Sequence, residues 1–259
     1  MARTPQEPAA GKASRTPSTP SSKRNGTKGS VAGKNRQAKA SSAVVPIVGL
    51  GASAGGLQAF TDFFEAMPVS SGMAFVAIHH VDPDHDSLMA DLLAKHTKMI
   101  VALAKDKTHI KPNHVYIIPP NRFLSVEKGI LRLSEPSERR GMRLPIDFFL
   151  RSLAEDQQQG AVAIILSGTG SDGAVGLRSI KEHGGMVLVQ DPTEAAHDGM
   201  PRSAMATGAV DHVLPVGQMP AMILNYANHP YVDNGKAGKV LGGNARSSLA
   251  DIIRALKVY

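Results

Sequence analysis

Apolar positions between residues 44 and 227 switch repeatedly between two spacings. Val44 to Leu50 is apolar apart from Pro46 and Gly49 and rich in β-branched residues, which predicts a buried strand. Leu57, Phe60, Phe63, Phe64 and Met67 then recur at helical spacing, so a helix is predicted over Leu57 to Met67. Met73 to Ile78 predicts the next strand, and Ser87 to His96 an amphipathic helix with Asp84 or Asp86 as its cap. Phe123 to Leu133 reads as a hairpin turning at Lys128-Gly129. Pro145 to Gln157 is a predicted helix and Ala161 to Leu166 a strand, followed by a helical pattern through Val175, Leu177 and Ile180. Met186 to Gln190 and Val210 to Leu214 are further strands. Strands alternating with helices indicate an α/β fold: a mainly parallel, doubly wound sheet carrying an antiparallel β-hairpin.

The flanks differ in composition. Residues 1–43 hold nine Lys/Arg and one Glu, are rich in Ser, Thr, Pro, Ala and Gly, and contain no aromatic residue. Such a segment cannot bury enough apolar area to fold alone, so it reads as a disordered basic tail. The formal charge of the chain is +7, yet beyond residue 43 there are twenty Lys/Arg against twenty-one Asp/Glu. The basicity belongs to the tail, and the domain at 44–227 shows no electrostatic case for binding nucleic acid. Residues 228–259 read as a glycine-rich linker and a terminal helix capped by Ser247 or Ser248, with Leu249, Ile252, Ile253 and Leu256 on one face. No apolar core follows the early charges as in a signal peptide, and no apolar stretch approaches the roughly 20 residues needed to span a bilayer. The chain has no cysteine, which excludes disulfides and a thiol nucleophile and fits a cytoplasmic location.

The most informative chemistry lies where the first strand meets the first helix, in Ile47-Val-Gly-Leu-Gly-Ala-Ser-Ala-Gly-Gly56. Ser53 sits in a glycine-lined turn, where small neighbours allow close approach and N–H groups at a helix start can hold an anion or oxyanion. Three readings fit: a dinucleotide site, a serine nucleophile, or a serine that merely caps the helix. A dinucleotide site expects an acid at the end of the second strand, where this chain has His79-His80, with Asp82 two residues beyond. Histidines there suit a serine hydrolase, which needs a base. Asp172, in the turn after Leu166, could cap the helix that follows or orient a histidine. Ser53, His80 and Asp172 all fall at the carboxyl ends of predicted parallel strands, the edge where open α/β sheets build their sites. His79, His80, Asp82, Asp84 and His85 superficially suggest a metal cluster, but adjacent strand histidines rarely converge on one ion. No metal and no cofactor are expected.

Taken together, Gly51-Ala-Ser-Ala-Gly-Gly56, Ile78-His-His80, His114-Val-Tyr-Ile-Ile-Pro-Pro120, Leu166-Ser-Gly-Thr-Gly-Ser-Asp-Gly173 and Asp198-Gly-Met-Pro-Arg202 resemble, in order and spacing, the catalytic domain of the chemotaxis protein-glutamate methylesterases, the CheB family. The resemblance runs from about Pro46 to Ile223. It implies that Ser53 is the nucleophile, His80 the base and Asp172 the aspartate that orients it. The family often has Gln-His where this chain has His79-His80, and adjacent strand residues point to opposite faces, so the role passes to the second histidine. Backbone N–H groups near Ala54 and Thr169 are the candidate oxyanion donors; the family usually has Thr or Ser at the position of Ala54. The implied reaction is hydrolysis of glutamate γ-methyl esters on a methylated chemoreceptor-like protein, with deamidation of receptor glutamine as a second activity. A non-catalytic nucleotide-binding or docking module of a signalling fusion is the alternative; it would be marked by a broken Ser/His/Asp set.

With its Leu144-Pro-Ile-Asp-Phe-Phe149 segment, the domain resembles most closely those in large fusions where a methylesterase precedes a receptor methyltransferase. The terminal helix would then open that partner domain. Chemotaxis methylesterases commonly carry an N-terminal phosphorylated receiver, which needs on the order of 100 residues of α/β pattern. Residues 1–43 do not supply one, so the domain is expected to be ungated by phosphorylation in cis.

Overall fold

The computed structural model describes residues 45–79, 86–136 and 143–227. The expected basic tail, linker and terminal helix lie outside the described residues, as do His80, Asp82, Asp84 and His85.

In chain order the elements are β1 (Ile47–Ala52), α1 (Gly56–Ala66), β2 (Ala74–His79), α2 (Asp86–Leu93), β3 (Ile100–Leu103), β4 (Thr108–His109), β5 (His114–Ile117), β6 (Phe123–Glu127), β7 (Ile130–Ser134), α3 (Pro145–Gln157), β8 (Val162–Ile165), α4 (Ala174–Glu182), β9 (Met186–Gln190), α5 (Gly199–Met205), β10 (His212–Leu214) and α6 (Met219–Ala227). Seven strands form one sheet in the order β10-β9-β8-β1-β2-β5-β3. Every neighbouring pair in it is parallel. The expected α/β fold with a parallel, doubly wound sheet is therefore the one observed.

β1 lies inside the sheet. Ile47–Ala52 pairs with Ala74–His79 on one side, and Val48–Gly51 with Val162–Ile165 on the other. The winding reverses between β1 and β8, so the crevice outside their carboxyl ends is a topological switch point. That crevice receives Ser53 from one strand and the 167–172 turn from the other.

Two apolar layers cover the sheet. On one face Phe60, Phe63 and Phe64 of α1, Leu93 of α2 and Met219 and Ile223 of α6 pack on Leu50, Phe75, Ile164 and Leu188. On the other, Ile146, Phe149, Leu150 and Leu153 of α3, Leu177 and Ile180 of α4 and Met200 of α5 pack on Val76, Ile78, Ile165 and Val189. Phe63, Phe64 and Phe75 meet edge to face at 5.2–5.9 Å, an arrangement that adds about 0.5–1.5 kcal/mol per pair beyond area burial.

The expected hairpin is present, with Lys128 (φ 52°) and Gly129 (φ 69°) both left-handed as a tight two-residue turn requires. It is one strand larger than the sequence suggested, because β4 adds antiparallel to β7 and covers its outer edge. The hairpin is tied to α3, whose Ser152 hydroxyl accepts the Val126 N–H at 3.1 Å. Two apolar positions of the helical stripes face outward: Leu57 is 37% and Val175 47% exposed. Both sit in the first turn of their helices, next to the crevice rather than over the sheet.

Candidate functional site

β1 runs through Ala52, so Ser53 is the first residue past the strand. Its N–H donates to the Ser167 carbonyl at 3.0 Å, and its own carbonyl accepts the Gly56 N–H at 2.8 Å, closing a tight turn. Helix α1 starts without a side-chain cap: its cap residue is Gly55 at φ 74°. Ser53 is therefore not the helix cap, and its half-buried side chain stands at the crevice. A Cβ at Gly55 would lie 2.6 Å from the Ser167 hydroxyl oxygen, so this turn needs glycine for space as well as for φ.

The turn after β8 comes just as close. A Cβ on Gly168 would fall 2.2 Å from the Met200 sulfur and 3.0 Å from both Cβ and N of Ser53. Gly168 donates to the His197 carbonyl at 2.9 Å and accepts from Met200 N–H at 2.8 Å, which ties in the loop before α5. Three loops thus converge on Ser53. Among the described residues, the N–H groups of Ala54 and Thr169 meet no protein acceptor, as donors reserved for an oxyanion would.

Sequence reasoning missed the residues that hold this convergence. Ser167 is 1% exposed. Its hydroxyl donates to the Ala54 carbonyl at 2.9 Å and accepts the His197 N–H at 3.0 Å. Its N–H donates to the side-chain carbonyl of Gln190, also buried, at 2.7 Å. The available signal is that each is a polar residue closing an otherwise apolar strand, where burial obliges it to find partners.

Asp172 is 6% exposed, immediately before Gly173, the cap residue of α4. The sequence allowed it to cap α4. Instead both its oxygens turn to α3, accepting Ile146 N–H at 3.1 Å and Asp147 N–H at 3.0 Å. The α4 start is capped by Asp147, whose Oδ1 accepts Gly176 N–H at 2.6 Å. Burial, helped by the nearby Asp147 charge, pushes the Asp172 carboxyl up to about 6 against the pull of the N–H donors. Asp147 is raised too, chiefly by burial.

The two histidines at the end of β2 divide between what the structure describes and what it does not. His79 pairs with Ala52 in register and faces the α1 side, its ring edge-on to Phe60 with centroids 6.0 Å apart. Its Nε2 donates to the Ser53 carbonyl at 2.9 Å. Asp172 lies on the opposite, α3–α4 face of the sheet, so His79 is not its partner. His80, the expected base, lies outside the described residues. Among the described residues, no three His, Asp or Glu side chains gather where they could hold a metal ion, and no helix is long and apolar enough to cross a membrane.

Comparisons with known proteins converge on one family. The family model described as CheB methylesterase matches residues 48–223. A putative protein-glutamate methylesterase/protein-glutamine glutaminase of Leptospira interrogans is 34% identical over 176 residues, covering 68% of this chain and 91% of that protein. Protein-glutamate methylesterase/protein-glutamine glutaminase 2 of Pseudomonas aeruginosa is 32% identical over 185 residues, 70% of this chain and 53% of that one. An uncharacterized 104.1 kDa protein of Rhodobacter capsulatus is 44% identical over 138 residues, which are 53% of this chain but 14% of that protein. The chain thus spans about half of the Pseudomonas protein and a small part of the Rhodobacter one. The crystal structure of the Thermotoga maritima CheB methylesterase catalytic domain superimposes with a TM-score of 0.67 at 29% identity, covering 70% of this chain and 98% of that one.

Proposed function

Because the chain belongs to the CheB methylesterase family, we propose that it is a serine esterase that hydrolyses glutamate γ-methyl esters on a methylated chemoreceptor-like protein to glutamate and methanol. The curated relatives are named for a glutaminase activity as well, and deamidation of receptor glutamine by the same acyl transfer belongs to this reading. The observation that carries it is Ser53 at the switch point, its turn anchored to Ser167 and flanked by the Ala54 and Thr169 N–H groups.

In this reaction His80 takes the Ser53 Oγ proton as Oγ bonds to the ester carbonyl carbon. Asp172 holds the His80 ring in the tautomer that can accept that proton. Negative charge collecting on the carbonyl oxygen is met by Ala54 and Thr169 N–H. The C–O bond to the methoxy group then breaks, and His80 returns the proton so that methanol leaves. Water, deprotonated by His80, cleaves the acyl-serine and restores the hydroxyl. No step calls for a metal or a cofactor. The reading places the enzyme in the cytoplasm, beside the receptor's signalling helices. The match within a 104.1 kDa protein supports the idea that this kind of domain also works inside longer chains, with a receptor methyltransferase as the proposed neighbour.

The test is methanol release from a methylated chemoreceptor by wild type and Ser53→Ala. Loss of the nucleophile is expected to lower kcat by several orders of magnitude with the fold intact. A Ser53→Ala protein that keeps most of the activity overturns the mechanism.

A further inference from the structure

The Ser53 carbonyl receives two donors, Gly56 N–H at 2.8 Å and His79 Nε2–H at 2.9 Å. A carbonyl oxygen can only accept, so Nε2 carries the proton in this contact. The nitrogen nearest the nucleophile is thereby already committed as a donor and has no lone pair with which to take the Oγ proton. His79 is also held in place sideways: it packs edge-on to Phe60, and a Cβ on Gly56 would approach its Cδ2 and Nε2 to 2.9 Å.

The peptide linking Ser53 to Ala54 is planar, and the C=O and N–H of a trans peptide point in opposite directions. Two donors that fix the Ser53 C=O on the α1 side therefore fix the Ala54 N–H on the other. That N–H meets no protein acceptor among the described residues.

We propose that His79 is a positioning residue: by donating from Nε2 to the Ser53 carbonyl, it aims the Ala54 N–H at the oxyanion of the transition state. This rests on the esterase reading. It also assigns the two adjacent histidines different tasks, one setting a peptide plane and the other moving protons. Help given to the developing oxyanion is absent in the ground state, so it belongs in kcat rather than KM. Removing an oxyanion donor costs about 10²–10³ in kcat, and misaiming one costs less, about 10–100-fold.

The experiment measures kcat and KM for methanol release by the full chain carrying His79→Gln or His79→Leu, beside wild type and Ser53→Ala, with thermal melts for each. The Gln amide can donate to the Ser53 carbonyl and the Leu side chain cannot. His79→Gln is expected to stay within a few-fold of wild type, and His79→Leu to lose about 10–100-fold in kcat with KM nearly unchanged. Wild-type kcat in His79→Leu overturns the proposal. So does His79→Gln falling as far as His79→Leu, which would make the imidazole itself essential. Nitrogen NMR of the His79 ring in the wild-type chain at neutral pH gives a readout independent of turnover. A protonated Nε2 is expected, and an unprotonated one overturns the proposal. If wild type releases no methanol, the esterase reading fails while the ring tautomer still decides the role of His79.

Discussion

Asp172 and Asp147 each cap the other's helix. Asp172, just before α4, binds Ile146 and Asp147 N–H at the start of α3, while Asp147, inside α3, binds Gly176 N–H at the start of α4. Two buried acids thus join two helix N-termini, where the backbone dipoles favour negative charge. The arrangement fixes Asp172 against a rigid pair of helices on the crevice side of the sheet.

Asp147→Ala leaves the Gly176 N–H buried without its partner. The expected loss is about 1–2 kcal/mol, in the range of a lost helix cap, read as a shift of the urea midpoint at unchanged slope. An unchanged midpoint would mean that the α3–α4 junction does not depend on the cross-cap.

Stability should respond to pH through Asp172 in a direction opposite to the usual carboxylate. Its carboxyl goes from about 3.8 in the unfolded chain to about 6 in the folded one, so the folded state binds its proton more readily. Its contribution to stability is complete below about 3.8 and is lost as pH rises through about 6. That separation corresponds to about 3 kcal/mol. Denaturation of wild type and Asp172→Asn at pH 4 and pH 7 isolates it: relative to the variant, wild type should weaken on going to pH 7. A relative gain at pH 7 would show that the N–H bonds outweigh desolvation.

Activity should move the other way. Orienting a histidine needs the ionised carboxylate, so kcat/KM is expected to fall on the acid side with a limb near 6. The measurement is a pH–rate profile of methanol release between pH 5 and 8, with circular dichroism at each pH to check the fold. A flat profile down to pH 5 would separate Asp172 from the rate.

Gly168→Ala tests the close approach of the two turns. The added Cβ meets the Met200 sulfur and the Ser53 backbone within 3.0 Å. The thioether can swing aside; the Ser53 backbone is part of the anchored turn. Displacing it by a fraction of an ångström is expected to lower kcat by about 10–100-fold, with about 1–3 kcal/mol lost from stability. Kinetics and melts on the same sample read both.

Much of this was legible along the chain, for identifiable reasons. The Ser53 turn stands out because an apolar β-branched run meets an aromatic helical stripe with only small residues between them. Lys128-Gly129 marks its hairpin because left-handed turn positions restrict residue type. β3 and β4 were not legible: one is a four-residue edge strand with Ile100 exposed, and the other is two residues long, defined by pairing with β7. The partner of Asp172 was hidden for a different reason. Local pattern offers the helix that follows, but the real donors are N–H groups of α3, 25 and 26 residues back, where packing and not periodicity decides. Alternation said that only one of His79 and His80 could face Ser53; it could not say that His79 would bind the Ser53 carbonyl.

The strand order also bears on how the protein is born. Ala54 is anchored by Ser167, 113 residues further along the chain. A nascent chain halted before β8 has already made Ser53 and both histidines, and it can lay β2 beside β1. It still has no anchor for the serine turn, no Asp172 and no Thr169. On the proposed esterase mechanism, hydrolytic competence therefore arrives late in synthesis, after the side chains it uses. Until the last third of the domain has emerged, a growing chain carries Ser53 without the anchored turn that the proposed esterase mechanism requires.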